Sequence, residues 1–255
     1  MQDKLSDIEL FEYLENKYDK FASLDFIEND PISIPHKFSV KEDIEISALI
    51  SSTIAWGQRK SIIKNANKFV ELMDNSPYEF VMNHEKSDLK RFEKAVHRTF
   101  NGEDLVFFII SLRNLYQKYN SLEDVFCNGD SLFDGLVYFY KEFFSIPHLD
   151  RTRRHVANVE KGSAAKRMNM YLRWMVRDDG RGVDFGIWKT IKPAELFIPL
   201  DVHSGRIARM LGLLQRKQND WKAVDELTKK LRDFDPNDPV KYDFALFGVG
   251  VNEDF

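Results

Sequence analysis

Apolar residues recur at helical intervals along most of this chain. Ile8, Phe11, Leu14 and Tyr18 predict an amphipathic helix over residues 7–21. Ile46, Leu49, Ile50, Thr53 and Ile54 predict another over 43–56, and its small Ser47, Ser51 and Ser52 leave room for a neighbouring helix. Gly57 breaks that run, so Trp56-Gly57-Gln58-Arg59-Lys60 reads as a corner before a third helix over 61–73. Further helices are expected at about 88–97, 104–119 and 131–143. The clearest stripe joins Leu105, Phe108, Ile109, Leu112, Leu115, Tyr116 and Tyr119. Pro31 and Pro35 make 31–37 an extended connector and a boundary. In the C-terminal third, helices are predicted over 204–214, 221–231 and 240–249, after a glycine-punctuated loop at 178–186. No stretch of adequate length alternates strictly, so the predicted class is all-α.

The segment Glu160–Arg177 carries more than periodicity. Gly162 supplies a tight turn that opens into a helix with Met168, Tyr171, Leu172 and Met175 on one side. Lys166, Arg173 and Arg177 fall on the opposite side, which by default is a solvated face. A helix start behind a glycine turn offers unused N–H groups and the positive dipole end, a seat for phosphate.

Charge sharpens this picture. The 255 residues carry a formal net charge of −4, which does not advertise a nucleic-acid binder. Between Arg151 and Arg181, however, nine basic residues face three acidic ones. The other bulk properties exclude more than they suggest. No apolar run approaches the roughly 20 residues that span a bilayer, so no membrane partner is expected. The first residues lack the apolar core of a signal peptide, making a cytoplasmic location the expectation. One cysteine, Cys127, rules out an internal disulfide and a cysteine-held iron–sulfur cluster. The six histidines show no metal-ligand spacing, no nucleophile elbow is present, and Gly180-Arg181-Gly182 lacks the rest of a dinucleotide fingerprint. Neither a metal nor a cofactor is expected.

What remains is Lys166 at the head of the basic helix and Asp201 in Leu200-Asp201-Val202-His203. An amine and a carboxylate suffice for attack at a sugar C1′ with departure of a base. The lysine, made nucleophilic by burial and neighbouring cations, forms a Schiff base, while the carboxylate stabilises the oxocarbenium charge. Asp201 directly precedes an amphipathic helix and by default is its N-cap, a role compatible with facing a cleft.

These residues resemble the helix-hairpin-helix glycosylase superfamily of DNA repair, which includes endonuclease III and 8-oxoguanine glycosylases. The superfamily hairpin L-P-G-x-G-x-K-x-x-N is similar to Glu160-Lys161-Gly162-Ser163-Ala164-Ala165-Lys166-Arg167-Met168-Asn169. Its later V-D-x-H-x-x-R-x-x-x-x-L-G-L resembles Leu200-Asp201-Val202-His203 through Arg206 to Leu211-Gly212-Leu213, the more specific match. Ile54-Ala55-Trp56-Gly57-Gln58 is similar to the L-S-x-Q segment, whose glutamine approaches the gap left by a flipped base. Over nearly its whole length the chain looks closest to the DUF2400 family. The departures are Glu160 and Lys161 for the opening leucine and proline, Ala164 for the second glycine, and a long interval between Lys166 and Asp201.

The resemblance implies a two-lobed, DNA-glycosylase-like helical fold with a helix-hairpin-helix motif and a cleft between lobes. Residues 41–165 would form the central lobe and 1–40 plus 190–255 the second, with the hairpin and basic helix of 157–177 at their junction. It implies an enzyme, a monomeric DNA N-glycosylase with Schiff-base (AP) lyase activity on a damaged base in double-stranded DNA. Lys166 and Asp201 would be catalytic; Gln58, Lys161, Gly162, Ser163, Arg167 and His203 would contact DNA, with the neighbouring arginines on phosphate. The alternatives are a non-catalytic nucleic-acid-binding protein of the same fold, or an interaction domain whose basic face meets an acidic partner.

Overall fold

The computed structural model describes residues 5–252. Their regular secondary structure is helical except for one two-stranded ribbon, and they divide into two compact units, 27–157 and 5–26 with 158–252. This partition differs from the division at 40/41 and 165 that the resemblance implied. Residues 27–40 pack with the central helices, and the 157–177 segment belongs almost wholly to the second unit.

Unit 27–157 is built on α3 (Lys41–Thr53), in which every residue from Ile44 to Thr53 is buried. A helix buried on all sides must satisfy its polar side chains internally. Its serines satisfy themselves there, Ser47, Ser51 and Ser52 donating to the carbonyls of Ile44, Ala48 and Leu49 at 3.3, 3.2 and 3.1 Å. Buried Glu45 accepts from the Tyr116 hydroxyl at 2.7 Å and the Leu122 amide at 3.2 Å, tying α3 to later helices. Against α3 pack α4 (Arg59–Glu71) and α5 (Pro77–Asn83). Around them run α6 (Gly102–Lys118), the short α7 (Leu122–Phe126) and α8 (Leu132–Phe143). Phenylalanines join these last helices: Phe126 stacks on Phe139 at 4.4 Å, and Phe108 meets Phe143 edge-on at 4.8 Å.

Two expectations fail in this unit. Residues 31–37 are not extended but form two 3₁₀ turns, Pro31–Ser33 and Pro35–Lys37. Each proline occupies the first helical position, where its missing N–H costs nothing, and the Asp30 side chain caps the first turn through the Ile32 amide at 3.1 Å. The helix expected at 88–97 stops after a 3₁₀ turn at Asp88–Phe92. Val96–His97 (β1) then pairs antiparallel with Phe100–Asn101 (β2), turning at Arg98 with φ +53°. α5 and α7, at 7 and 5 residues, are too short for periodicity to reveal.

The other unit comprises α1 (Asp7–Phe21), the opening of α2 (Asp25–Glu28), α9 (Lys166–Val176), α10 (Val202–Met210), α11 (Trp221–Phe234) and α12 (Tyr242–Asn252). α12 is its core element, with Tyr242, Phe244, Ala245, Leu246 and Val249 buried between α1 and α10. Gly248 lets α1 approach: a Cβ there would stand 2.3 Å from the Phe21 ring. The 178–191 segment folds back over α9, the amides of Phe185 and Trp188 bonding to the carbonyls of Trp174 and Met175 at 2.8 and 2.9 Å. Trp188 is thereby buried edge-on against Tyr171. No described helix is long and apolar enough to cross a membrane.

Candidate active site

The turn that precedes α9 is stitched by its own backbone. The Asn158 side chain accepts from the Lys161 amide at 3.0 Å, the Val159 carbonyl from Gly162 at 2.9 Å, and the Asn158 carbonyl from Ser163 at 3.2 Å. Gly162 sits at φ +82°, a conformation that suits glycine. Its carbonyl accepts from the Trp221 amide at 3.0 Å, and Ser163 forms an isolated antiparallel bridge with Asp220, which locks the turn to the start of α11. Ala165, the N-cap of α9, is also left-handed, at φ +47°. Three amides expected to seat a phosphate are therefore taken up inside the turn. The N–H groups of Ala164 and Lys166 meet no acceptor among the described residues.

Lys166 is the first residue of α9 and leans toward α10. The chain reaches α10 through a stretch in which Leu196, Ile198 and Leu200 are buried, so Asp201 emerges from packed structure. Asp201 is the N-cap, and its two carboxylate oxygens have separate partners. Oδ1 accepts from the Ser204 amide at 2.9 Å and hydroxyl at 3.1 Å, while Ser204 Oγ accepts from the Asp201 amide at 2.9 Å, a reciprocal capping box. Oδ2 lies 3.0 Å from Lys166 Nζ. The lysine side chain is 31% exposed and the aspartate 13%, so the pair is reachable from solvent but anchored. Asn219 Nδ2 donates to the Asp201 carbonyl at 2.9 Å, fixing the backbone behind the cap.

α12 supplies another side of the site. Lys166 Nζ lies 5.8 Å from the centre of the Phe247 ring, and one turn earlier Asp243 is buried against the Arg173 guanidinium. Burial pushes the Asp243 carboxyl up to about 6, with nearby Asp201 acting in the same direction and Arg173 and Lys166 against it. Burial would raise the Asp201 carboxyl too, but the charge of Lys166 and the hydrogen bonds from Ser204 outweigh it and hold it below the usual carboxylate range. Asp201 is thus an anion at neutral pH, suited to stabilising positive charge that develops beside Lys166.

The solvated basic face expected along α9 does not exist. Arg173 and Arg177 are buried, at 3% and 0% exposure. Arg173 pairs with Asp184 and Asp243; Arg177 pairs with Asp179, Asp184 and Asp238 and donates to the Tyr18 hydroxyl at 2.7 Å. Burial works against the Arg177 cation, yet the surrounding carboxylates hold it above its ordinary value. Arg151 is likewise paired, with Glu103 and Asp104, and Arg181 with Asp19. Most of the local charge excess is neutralised by acids distant in sequence, so these arginines are not available to phosphate.

The remaining expected contact residues are dispersed. Lys161, Gly162 and Ser163 are exposed on the turn, and His203 is exposed on the first turn of α10. Arg167 is half-buried, and burial lowers its guanidinium to about 10. Gln58 belongs to the other unit, where it stands exposed at the N-cap of α4 without a capping hydrogen bond. No group of three or more His, Cys, Asp or Glu side chains able to hold a metal ion occurs among the described residues. Sequence reasoning missed Ser204, Asn219, Asp243 and Phe247. Ser204, three residues after Asp201, fits a reciprocal capping pattern, and Asp243 stands out as an acid inside an apolar helix; Asn219 carries no signal.

The chain is thus a helical protein whose second unit presents a lysine and a carboxylate in contact at two helix N-termini. The model of one family, described as Protein of unknown function (DUF2400), matches residues 30–252, and the chain belongs to that family. No curated protein and no solved structure matches it.

Proposed function

We propose that this protein is a DNA N-glycosylase with Schiff-base lyase activity, a member of the helix-hairpin-helix glycosylase superfamily acting on a damaged base in double-stranded DNA. The observation that carries the reading is the 3.0 Å contact between Lys166 Nζ and Asp201 Oδ2, which unites residues 35 positions apart. In the reaction, the partly exposed Lys166 ammonium gives a proton to solvent and its freed electron pair attacks the sugar C1′, while Asp201 stays ionised. The bond from C1′ to the base breaks, its electron pair leaves with the base, and the base takes up a proton. Asp201 stabilises the oxocarbenium charge that develops at C1′. Ring opening yields an iminium on Lys166; loss of a C2′ proton then expels the 3′ phosphate as C3′–O breaks. On this reading Lys161 and Ser163, exposed on the turn, and His203, exposed on α10, meet the strand while the target base is flipped.

Borohydride trapping on duplexes carrying an abasic site or a panel of base lesions tests this directly. A covalent adduct is expected with the native protein and its loss in Lys166→Gln. Asp201→Asn should retain trapping on a preformed abasic site while base release slows roughly 10²- to 10⁴-fold. Absence of any adduct on every duplex would defeat the lyase assignment.

A second reading is favoured by the double engagement of Asp201, since a capped, ion-paired carboxylate also serves structure alone. On that reading the protein binds duplex without chemistry, and Asp201→Asn leaves affinity unchanged with no base released by either form.

A further inference from the structure

Arg173 and Arg177 of α9 turn inward, whereas α4 carries a regular row of surface cations without carboxylate partners among the described residues. The helix buries Ile62, Ala66, Phe69 and Val70. On its outer side Lys60, Lys64 and Lys68 repeat at i, i+4 and i+8, all exposed, and none has a carboxylate within 4.0 Å among the described residues. Like charges at that interval weaken a helix, and Arg59 and Lys60 stand in a first turn that holds no acid, where the dipole disfavours cations. The one acid of the helix, Glu71, is its last residue and makes no ion pair with Lys68. Two further cations extend the strip. Lys37 donates to Asn67, which sits beside Lys68 on the helix, and the Arg98 guanidinium packs over Gly57 at the corner leading into α4. Arg98 also has no carboxylate partner.

We propose that this outer face of α4 is a docking surface for the phosphate backbone of duplex nucleic acid, an inference that rests on the nucleic-acid reading above. Three lysines cover about 12 Å of helix axis, and a duplex carries a negative charge roughly every 1.7 Å of its own axis. Lysines on flexible stems act as point charges on phosphate without reading bases. The face therefore contributes affinity and steep salt dependence, while the Lys166–Asp201 pair contributes chemistry.

The test uses the full chain and a fluorescent 20-base-pair duplex without a lesion, with affinity followed across salt concentration. Replacing Lys60, Lys64 and Lys68 together by alanine should make the log K against log salt slope shallower by about 2.7, three lost phosphate contacts. A control replacing Lys86, Lys90 and Lys94 removes the same charge from elsewhere in that unit and should keep the native slope. Circular dichroism establishes that both variants fold, and removal of repelling charges should leave α4 intact. If the native protein binds duplex but the α4 variant keeps the native slope, the docking surface is refuted and the glycosylase reading stands. If the α4 variant's slope falls as expected and Lys166→Gln abolishes trapping while retaining the native slope, both stand. Failure of the native protein to bind duplex at low salt, or a preference for poly-glutamate that depends on the three lysines, overturns the surface as a nucleic-acid site.

Discussion

Asp201 shows how one side chain serves fold and chemistry together. Oδ1 closes the capping box with Ser204 and Oδ2 faces Lys166, so replacing the residue removes two interactions, whereas Asn retains an oxygen for the cap. Asp201→Ala should cost about 0.5–2 kcal/mol in urea unfolding, the usual loss of an N-cap, with Asp201→Asn closer to native. The cap was legible because an Asp followed three positions later by Ser precedes an apolar helix; the distance to Lys166 was not. Asp243 offers a pH signature. Its folded value of about 6 lies above the ordinary 3.8, so its contribution to stability is complete below about pH 4 and is lost as pH rises through about 6. Unfolding free energy measured from pH 4 to 7 should therefore decline more in the native protein than in Asp243→Asn, by on the order of 2–3 kcal/mol. Equal slopes would refute the assignment. Gly162 makes a simpler case: nothing lies within 4 Å of a Cβ there, so Gly162→Ala should cost only the left-handed penalty of roughly 1–2 kcal/mol.

In α9, periodicity located the helix but misjudged its outward side. A 3.6-residue repeat states which residues share a face; it does not state whether water or carboxylates lie opposite. Arg173 and Arg177 face Asp184, Asp238 and Asp243, contributed by the covering loop and by the chain around α12. Removing a buried cation leaves its acids uncompensated, and Arg177→Met should destabilise by about 3–5 kcal/mol in denaturant titration. A change under 1 kcal/mol would mean the network is solvated. In α12 the small residues were legible but their purpose was not. Gly248 and Gly250 are contact notches, toward Phe21 of α1 and toward His203 of α10. Gly248→Ala forces the Phe21 ring aside and should cost roughly 1–3 kcal/mol.

Across the chain, positive charge is redistributed by folding. A run of nine cations in 31 residues implied a basic face, whereas the folded protein pairs Arg151, Arg173, Arg177 and Arg181 of that run with carboxylates and leaves lysines on α4 unmatched. Binding to the folded state alone raises apparent stability, by about 2.7 kcal/mol at a hundredfold excess over Kd. Undamaged duplex should therefore raise the thermal midpoint at low salt, and the increment should vanish as salt screens the phosphates. An increment independent of salt would exclude a phosphate-dominated interface.

The order of apolar and polar residues was enough to specify an all-α chain and most of its long helices, because helix burial is periodic and local. It also contained the capping pattern at Asp201 and the glycine turn at Gly162, each formed within a few residues. The 3₁₀ turns at 31–37, the ribbon at 96–101 and the short α5 and α7 escaped, since their stability comes from packing and not from propensity. The pairing of Lys166 with Asp201, the buried setting of Asp243 and the internal partners of Arg173 and Arg177 were decided only by tertiary structure. Each joins charges far apart in sequence, and electrostatic energy depends on distance and desolvation in space, which spacing along a chain does not encode.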